Sequence, residues 1–420
     1  MRILLVHNAY LQRGGEDAVY EAERDLLRQK GHEVHEYRVD NEGVDRMSQL
    51  ALASAAIFGR TARRRIAELV KEHEIEIAHF HNTQPQISPA SFRAARRAGA
   101  AVVHTLHNYR IACPSATLFR DGQPCEDCVG RTFATPAIRN RCYRNSRAAS
   151  AVVALGTGLH RVLGTWRRDV DRYVALTEFQ REVLVRAGLP AERVTILPNF
   201  LATDPGRFAD GGRNGILFVG RLTEEKGVRT LLAALRHLPK NVSLRVVGSG
   251  PLGSEVAIAA AADPRLVAVG VRSNEQVHEE MRRAAVLAVP SLWYEGMPMT
   301  IVEAFSCGLP VVCSAIGGLP SLVEDGVNGR LVEAGDPRAL ADALLMVSGE
   351  RALRGRLSAG ARQSFLTRFT ADAHHNRLLE VYGAALRVRH GKGGNATTES
   401  DATPSLDVPA EPVTPVHGSS

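Results

Sequence analysis

Val286-Leu287-Ala288-Val289, a short loop, and then Glu295-Gly296-Met297-Pro298-Met299-Thr300-Ile301-Val302-Glu303 decide how this chain is read. The first four residues have the apolar character of a buried strand. Pro298 suits the first position of a helix, where its missing N–H costs nothing. The residue before a proline is pushed out of the α region, so Met297 belongs to the loop. Glu295 then sits on the loop and Glu303 lies more than a turn inside the helix. Carboxylates held that far apart share neither a proton nor a metal; they read two ends of one ligand. Between them a helix N-terminus offers free N–H groups and a positive dipole end, suited to a phosphate.

The same strand–loop–helix unit recurs outward from this point. Ile216-Leu217-Phe218-Val219 runs into Gly220-Arg221-Leu222-Thr223-Glu224-Glu225-Lys226-Gly227, which places an arginine and a lysine on a strand-to-helix loop. Two cations there can hold a diphosphate and stabilise it as it leaves. Further strands are expected at 242–247, 266–269 and 310–313. In the first half they are expected at 2–6, 33–37, 76–80, 101–106, 172–176 and 194–197. Helices are expected at 16–30, 61–73, 88–98 and 178–187. Alternating strands and helices imply βαβ units and parallel sheets. Ligands in such sheets bind beyond the carboxyl ends of the strands.

The 420 residues suffice for two such domains, and their 45 % apolar and 23 % charged content is that of a globular protein. Turn formers cluster from Pro198 to Asn214, which reads as an interdomain linker. This gives an N-terminal domain over 1–200, a C-terminal domain over 201–388 and a tail over 389–420 expected to be disordered. No apolar run is long enough to span a bilayer, and Met1-Arg2-Ile3-Leu4-Leu5-Val6 reads as a strand rather than a leader, so a cytoplasmic protein is expected. Six cysteines fit a reducing compartment. The first 200 residues hold 29 Lys and Arg against 22 Asp and Glu, which accounts for the whole net charge of +7. Such a surplus fits an anionic partner or simply a solvated basic surface.

Taken in order, Gly-Arg…Glu-Lys-Gly (220–227), Glu-x7-Glu (295–303), Cys307-Gly308-Leu309-Pro310-Val311-Val312, Gly317-Gly318-Leu319-Pro320 and Asp325-Gly326-Val327-Asn328-Gly329 resemble family 4 of the retaining glycosyltransferases. The resemblance extends to about residue 388. It implies a GT-B fold: two Rossmann-like doubly wound domains facing across a cleft, with the last helix packing back on the N-terminal domain. It implies a nucleotide-diphosphate sugar as donor and no required cofactor. Arg221 and Lys226 would bind the diphosphate, with Gly220 at the turn. Glu303 would bind the ribose, and Glu295 the transferred sugar. The backbone of Gly296, Met297, Pro298, Met299 and Thr300 would touch sugar and phosphates. Val271 and Arg272, after Gly270, would meet the base. In the N-terminal half, Gly14-Gly15 matches the family's glycine turn and His107 its histidine near the donor sugar. Arg221, Lys226, Glu295 and His107 form the expected catalytic set. Family chemistry is front-face, the acceptor hydroxyl entering where the diphosphate leaves. Ordinary surface pairs of Arg221 and Lys226 with Glu224 or Glu225 are the competing reading.

Weaker signals remain. His81 and Asn82 are acceptor-side candidates, and His104 is a core or face residue. Asp169-Val170-Asp171 precedes a strand, reads as a solvated turn, and gives no ground for a catalytic metal. Gly248-Ser249-Gly250-Pro251-Leu252-Gly253 satisfies a dinucleotide pattern, but no acidic residue ends the next strand where such a fold needs one. Cys113, Cys125, Cys128 and Cys142 lie in an insertion over about 109–147. They read as free thiols, or as a closed zinc site. Arg60, Arg63, Arg64 and Arg65, with Ile57 and Phe58 ahead, suit either anionic lipid or water. The acceptor expected by analogy is a glycan or glycolipid of bacterial surface synthesis. The alternatives are an epimerase or phosphorylase of the same fold, or a nucleic-acid-binding protein. The last lacks aromatic interleaving and any helix-turn-helix or zinc-finger spacing, so no nucleic-acid partner is expected.

Overall fold

The computed structural model describes residues 1–9, 14–41, 48–206 and 212–391. The disorder expected of the tail falls almost wholly outside them. Two six-stranded sheets organise the chain, and every strand pair within each is parallel.

The first sheet is built from β1 (Arg2–Asn8), α1 (Gly15–Gln29), β2 (Glu33–Val39), α2 (Gln49–Phe58), α3 (Arg60–Glu72), β3 (Ile77–Phe80), α4 (Ala90–Ala98) and β4 (Ala101–Leu106). The insertion follows, with a two-residue hairpin of β5 (Phe119–Arg120) and β6 (Gln123–Pro124), then α5 (Thr135–Arg139), α6 (Arg147–Val162) and α7 (Thr165–Arg168). The chain returns as β7 (Arg172–Ala175), α8 (Glu178–Arg186) and β8 (Val194–Ile196). The strand order is β2-β1-β3-β4-β7-β8. Strands β1, β3 and β4 are buried along almost their whole length, which is why they read as continuous apolar runs rather than alternating ones.

The second sheet comprises β9 (Ile216–Val219), α9 (Val228–Leu235), β10 (Leu244–Val247), α10 (Gly253–Ala262), β11 (Leu266–Gly270), α11 (Asn274–Arg283), β12 (Val286–Val289), α12 (Met299–Ser306), β13 (Val311–Ser314) and β14 (Gly329–Val332). Its order is β11-β10-β9-β12-β13-β14. The order reverses between β9 and β12, the position at which ligands bind at the carboxyl edge of open sheets of this kind. The loops after these two strands carry Arg221, Lys226 and Glu295.

Helices α13 (Pro337–Gly349), α14 (Arg351–Arg368) and α15 (Ala371–Arg389) complete the chain. Helix α15 crosses back: Leu378, Val381, Tyr382 and Ala385 pack in one core with Ile3, Leu5, Ile77 and Val103 of the first sheet. The segment between the sheets is pinned where it is described. Leu201 bridges to Thr370, and Asp204 pairs with Arg362 at 2.6 Å.

Two details differ from the sequence reading, and a third is explained by the fold. Pro298 is the N-cap of α12, with φ −71° and ψ 114°, and Met299 is the first helical residue. Asp169 and Asp171 are buried rather than solvated. They pair with Arg93 at 3.0 Å and Arg96 at 2.7 Å, and Asp171 also accepts from Val102 N–H at 2.9 Å. The turn is thus a structural clamp of α4 onto the sheet. The glycines of Gly248-Ser249-Gly250 serve backbone packing: a Cβ at Gly248 would lie 1.9 Å from Gly220 O, and one at Gly250 2.5 Å from Leu222 O. This accounts for a dinucleotide-like pattern through the fold itself.

Candidate active site at the domain interface

Lys226 and Glu295 meet. Gly227, at φ 70°, turns the chain tightly after Lys226, and a Cβ there would lie 1.7 Å from Pro290 O. That close approach sets the loop after β9 directly against the loop after β12. Lys226 Nζ donates to Glu295 Oε1 at 2.8 Å and Oε2 at 2.9 Å, and Ser291 Oγ donates to Oε1 at 2.6 Å. Lys226 also sits 5.3 Å from the Trp293 ring centroid. Burial alone would raise the Glu295 carboxyl. Attraction to Lys226 and the hydrogen bonds from Lys226 and Ser291 outweigh it, and the pKa falls below the ordinary value. Spacing in the sequence did not foresee this pair.

Glu303 is different. It sits on the second turn of α12, partly buried, with no hydrogen-bond or ion-pair partner among the described residues. Burial with nothing to offset it raises its pKa. A carboxyl drawn partly out of water and left unpaired is costly to a fold and is a common mark of a ligand contact.

The two domains touch at this place. The carbonyl of His107 would lie 2.9 Å from a Cβ on Gly296, Tyr109 Oη donates to Glu295 O at 3.4 Å, and the Phe179 and Tyr294 rings meet edge-on at 4.6 Å. Asn199 N–H reaches Met297 Sδ at 3.1 Å. Asn108 donates to Glu16 Oε1 at 3.0 Å and so ties His107 to the start of α1, where Gly15 is the first residue. Among the described residues, a Cβ on Gly15 would meet nothing within 4 Å. His107, Lys226, Glu295, Gly296 and Met297 therefore converge, and Gly15 is linked to them through Glu16 and Asn108.

Arg221 stands apart, 68 % exposed, with an ion pair to Glu225 at 3.6 Å. That contact is the surface pair the competing reading named. Val271 and Arg272 are exposed on the loop after β11. Gly220 lies at the end of β9, bonded through its N–H to Val247 O at 3.0 Å. Pro298, Met299 and Thr300 open α12, the helix that carries Glu303.

On the N-terminal side a cavity opens among His81, Asn82, His104, His107, Asn108 and Arg110. His104 thus belongs to its wall as well as to the core. Asn82 is occupied structurally, donating to Asn8 O at 2.7 Å. Beneath lies a buried cluster of which the sequence reading named only His81 and His107: His7, Asp17, Glu23, His79, His81, His107, His374 and Tyr382. His7 Nε2 meets Asp17 Oδ1 at 2.8 Å, His79 meets Thr105 Oγ1 at 2.7 Å and Tyr382 Oη at 2.9 Å, and His374 meets Glu23 at 3.1 Å. A histidine at or just past the end of an apolar strand, as with His7, was the available signal. Among the described residues, Glu23, His79 and His81 are the one group of three such side chains with ligand atoms all within 4.8 Å. The four insertion cysteines form no such group, and all six cysteines are free.

Two facing parallel-sheet domains, with the crevice at the switch point of the second, define the GT-B class of architecture. Residues 13–205 match the family described as Glycosyltransferase Family 4, and residues 213–349 match that described as glycosyl transferases group 1. The chain belongs to this family. A D-inositol 3-phosphate glycosyltransferase of Xylanimonas cellulosilytica is 36 % identical over 246 residues, covering 52 % of this chain and 58 % of the relative. The amylovoran biosynthesis glycosyltransferase AmsK of Erwinia amylovora is 30 % identical over 244 residues, covering 52 % and 60 %. The chain thus spans little more than half the length of these relatives. Anabaena HepE, solved with UDP and glucose, shares the fold at a TM-score of 0.63 and 18 % identity, over 91 % of this chain and 99 % of its own. Sucrose-phosphate synthase of Thermosynechococcus elongatus does so at 0.68 and 17 %, over 91 % and 98 %.

Proposed function

We propose that this protein is a retaining glycosyltransferase that moves a sugar from a nucleotide-diphosphate sugar to an acceptor hydroxyl. The observation that carries the reading is the convergence of Lys226, Glu295 and the backbone of His107 at one crevice, with the unpaired Glu303 carboxyl on the adjoining helix. On this reading Glu303 accepts from the ribose hydroxyls. Lys226, shared with Glu295, turns to the diphosphate as charge builds on it. Arg221, exposed and loosely paired, folds in as a second cation. Gly15 leaves room for the donor's phosphates, and Val271 and Arg272 flank the base. Glu295 and His107 hold the sugar. The acceptor enters from the cavity beside Asn108 and Arg110, and its proton passes to the leaving phosphate. Positioning and charge stabilisation supply the rate, with no metal required. The UDP in HepE makes uridine donors the first to try. The test is a thermal-shift screen of nucleotide sugars, followed by transfer and determination of the product's anomeric configuration. Stabilisation by a donor and retention of configuration are expected. No shift with any donor, or an inverted product, would contradict the reading.

The acceptor is a glycan or glycolipid intermediate of cell-surface synthesis, and the first domain meets anionic lipid. Two surfaces support the latter. Arg60, Arg63, Arg64, Lys71 and Arg97 line one shallow face, which Arg97 joins to a second with Arg93, Arg96 and Arg168. Phe58, Val162 and Leu163 are 45 %, 63 % and 44 % exposed. Among the described residues no helix is long and apolar enough to cross a membrane. Flotation with vesicles containing acidic lipid should exceed that with neutral lipid; equal flotation would contradict contact.

A further inference from the structure

A line of buried groups runs from the last helix to the crevice. Glu23, on the inner face of α1, is 2 % exposed. Its Oε2 accepts from His374 Nε2 of α15 at 3.1 Å, while its Oε1 lies 3.0 Å from His79 Nδ1 and 3.3 Å from His81 Nε2. His81 Nδ1 lies 3.0 Å from His107 Nε2, with the rings stacked at 17°. His107 Nδ1 has no hydrogen-bond partner among the described residues, and it is not among the sealed, unsatisfied atoms. Around the line, Tyr382 and Thr105 hold His79, and the rings of Tyr20 and His7 pack against His81.

Counting hydrogens along this line leaves one arrangement. Burial raises the Glu23 carboxyl, but attraction to His79 and the hydrogen bond from His374 overcome it, so Glu23 is a carboxylate with no hydrogen to give. His81 Nε2 and Glu23 Oε1 are not aligned as a hydrogen bond, but a bare ring nitrogen 3.3 Å from a carboxylate oxygen in a dry site is repelled by it, so the hydrogen of His81 belongs on Nε2. Burial, reinforced by His79, pushes the His81 pKa down to about 4, so His81 is neutral and its Nδ1 is bare. The hydrogen in the 3.0 Å contact must then sit on His107 Nε2. Burial also keeps His107 neutral. Its Nδ1 is left as a bare lone pair.

We infer that Glu23 is a positioning residue which, through His81, fixes His107 as the Nε2–H tautomer and so presents Nδ1 as a hydrogen-bond acceptor to a substrate hydroxyl. The substrate part rests on the proposed function, in which His107 faces the donor sugar; the tautomer itself does not. His107 then acts as an acceptor, not as a cation on the phosphate. The line also explains why α15 returns to the first domain, since His374 holds the far oxygen of Glu23.

The test is the two-bond ¹⁵N–¹H correlation spectrum of the histidine-labelled full chain without ligand, with His107 assigned by the loss of its signals in His107→Gln. A protonated Nε2 and a bare Nδ1 are expected in the wild type, and a mixture of tautomers in Glu23→Gln. A wild-type His107 protonated at Nδ1, or a His81 lacking hydrogen at Nε2 as a bound cation would require, overturns the inference. So does a folded Glu23→Gln variant with unchanged His107 signals. Should Glu23→Gln fail to fold, the wild-type spectrum alone decides. If glycosyl transfer is measurable, Glu23→Gln should lower kcat about tenfold with less effect on the KM for donor. A correct tautomer with no transfer from any donor would sink the functional reading and leave the relay standing.

Discussion

Replacing Lys226 with methionine keeps the stem and removes the charge, leaving Glu295 buried with the single bond from Ser291. The pair is close, 2.8 Å, and largely enclosed, with side-chain exposures of 20 % for Lys226 and 4 % for Glu295. At an effective dielectric of about 20 that separation corresponds to a gross attraction of about 6 kcal/mol. Desolvation offsets part of it, and stripping one partner from a buried pair costs about 3–5 kcal/mol. At roughly 2–4 °C per kcal/mol for a unit of this size, the second domain should melt roughly 6–20 °C lower. Adding Glu295→Gln removes the stranded charge and should recover most of that loss. Differential scanning calorimetry of the wild type, Lys226→Met, Glu295→Gln and the double variant gives the cycle. Since Glu295 is held as a carboxylate below its ordinary pKa, the pair's contribution is present above about pH 4.5 and fades as the pH falls. A Lys226→Met protein melting within ~1 °C of wild type, or a double variant no better than the single, would refute the geometry from which these magnitudes come. Glu295→Gln alone frees Lys226, so it should bind nucleoside diphosphate at least as tightly as wild type while transfer falls.

Acid should weaken the fold well before carboxylates titrate. His81 is held neutral in the folded state and His104 likewise, their pKa values pushed down from 6.5 to about 4 and about 3 by burial first. The unfolded chain therefore binds more protons below pH 6.5, and stability falls as the pH drops from there, by on the order of 3 kcal/mol for His81 alone by pH 4. Urea midpoints at pH 7, 5.5 and 4.5 should decline in that order, and a flat series would contradict it. Two glycines should separate fold from function. Gly227→Ala forces a side chain into the left-handed region and onto Pro290 O, and should cost about 1–3 kcal/mol or more in urea titrations. Gly15→Ala, whose Cβ would meet nothing within 4 Å among the described residues, should stay within about 0.5 kcal/mol of wild type yet lose donor affinity; the reverse ranking would undo the argument.

The central strands β1, β3, β4, β12 and β13 were legible because they are apolar and buried on both faces. The strand that was missed is β14. Gly329-Arg330-Leu331-Val332 is short, partly exposed and interrupted by a charge, as an edge strand tends to be. Helix α6 was hidden by Gly156 and Gly158, which weaken any helical reading. The fold needs both: a Cβ at Gly158 would lie 2.3 Å from the Phe133 ring, and one at Gly156 3.2 Å from Ile57. Of the site, Lys226, Glu295 and Glu303 could be named from motif order. That Lys226 and Glu295 bond to each other while Glu303 stands alone could not, because the contact depends on two loops brought together by the β9–β12 switch. The Glu23 line was further out of reach. Two of its members, Glu23 and His374, are 351 residues apart and meet only because α15 crosses between domains.

On the proposed function, a nucleoside diphosphate sits between Lys226 and the solitary carboxyl of Glu303. Isothermal titration of UDP, and then of the other nucleoside diphosphates, into wild type and Glu303→Ala measures this directly. One nucleotide should bind the wild type at a single site per chain, and its binding should fall at least tenfold in Glu303→Ala with the melting temperature preserved. Equal binding by the two proteins, or no binding of any nucleoside diphosphate by the wild type, would contradict it.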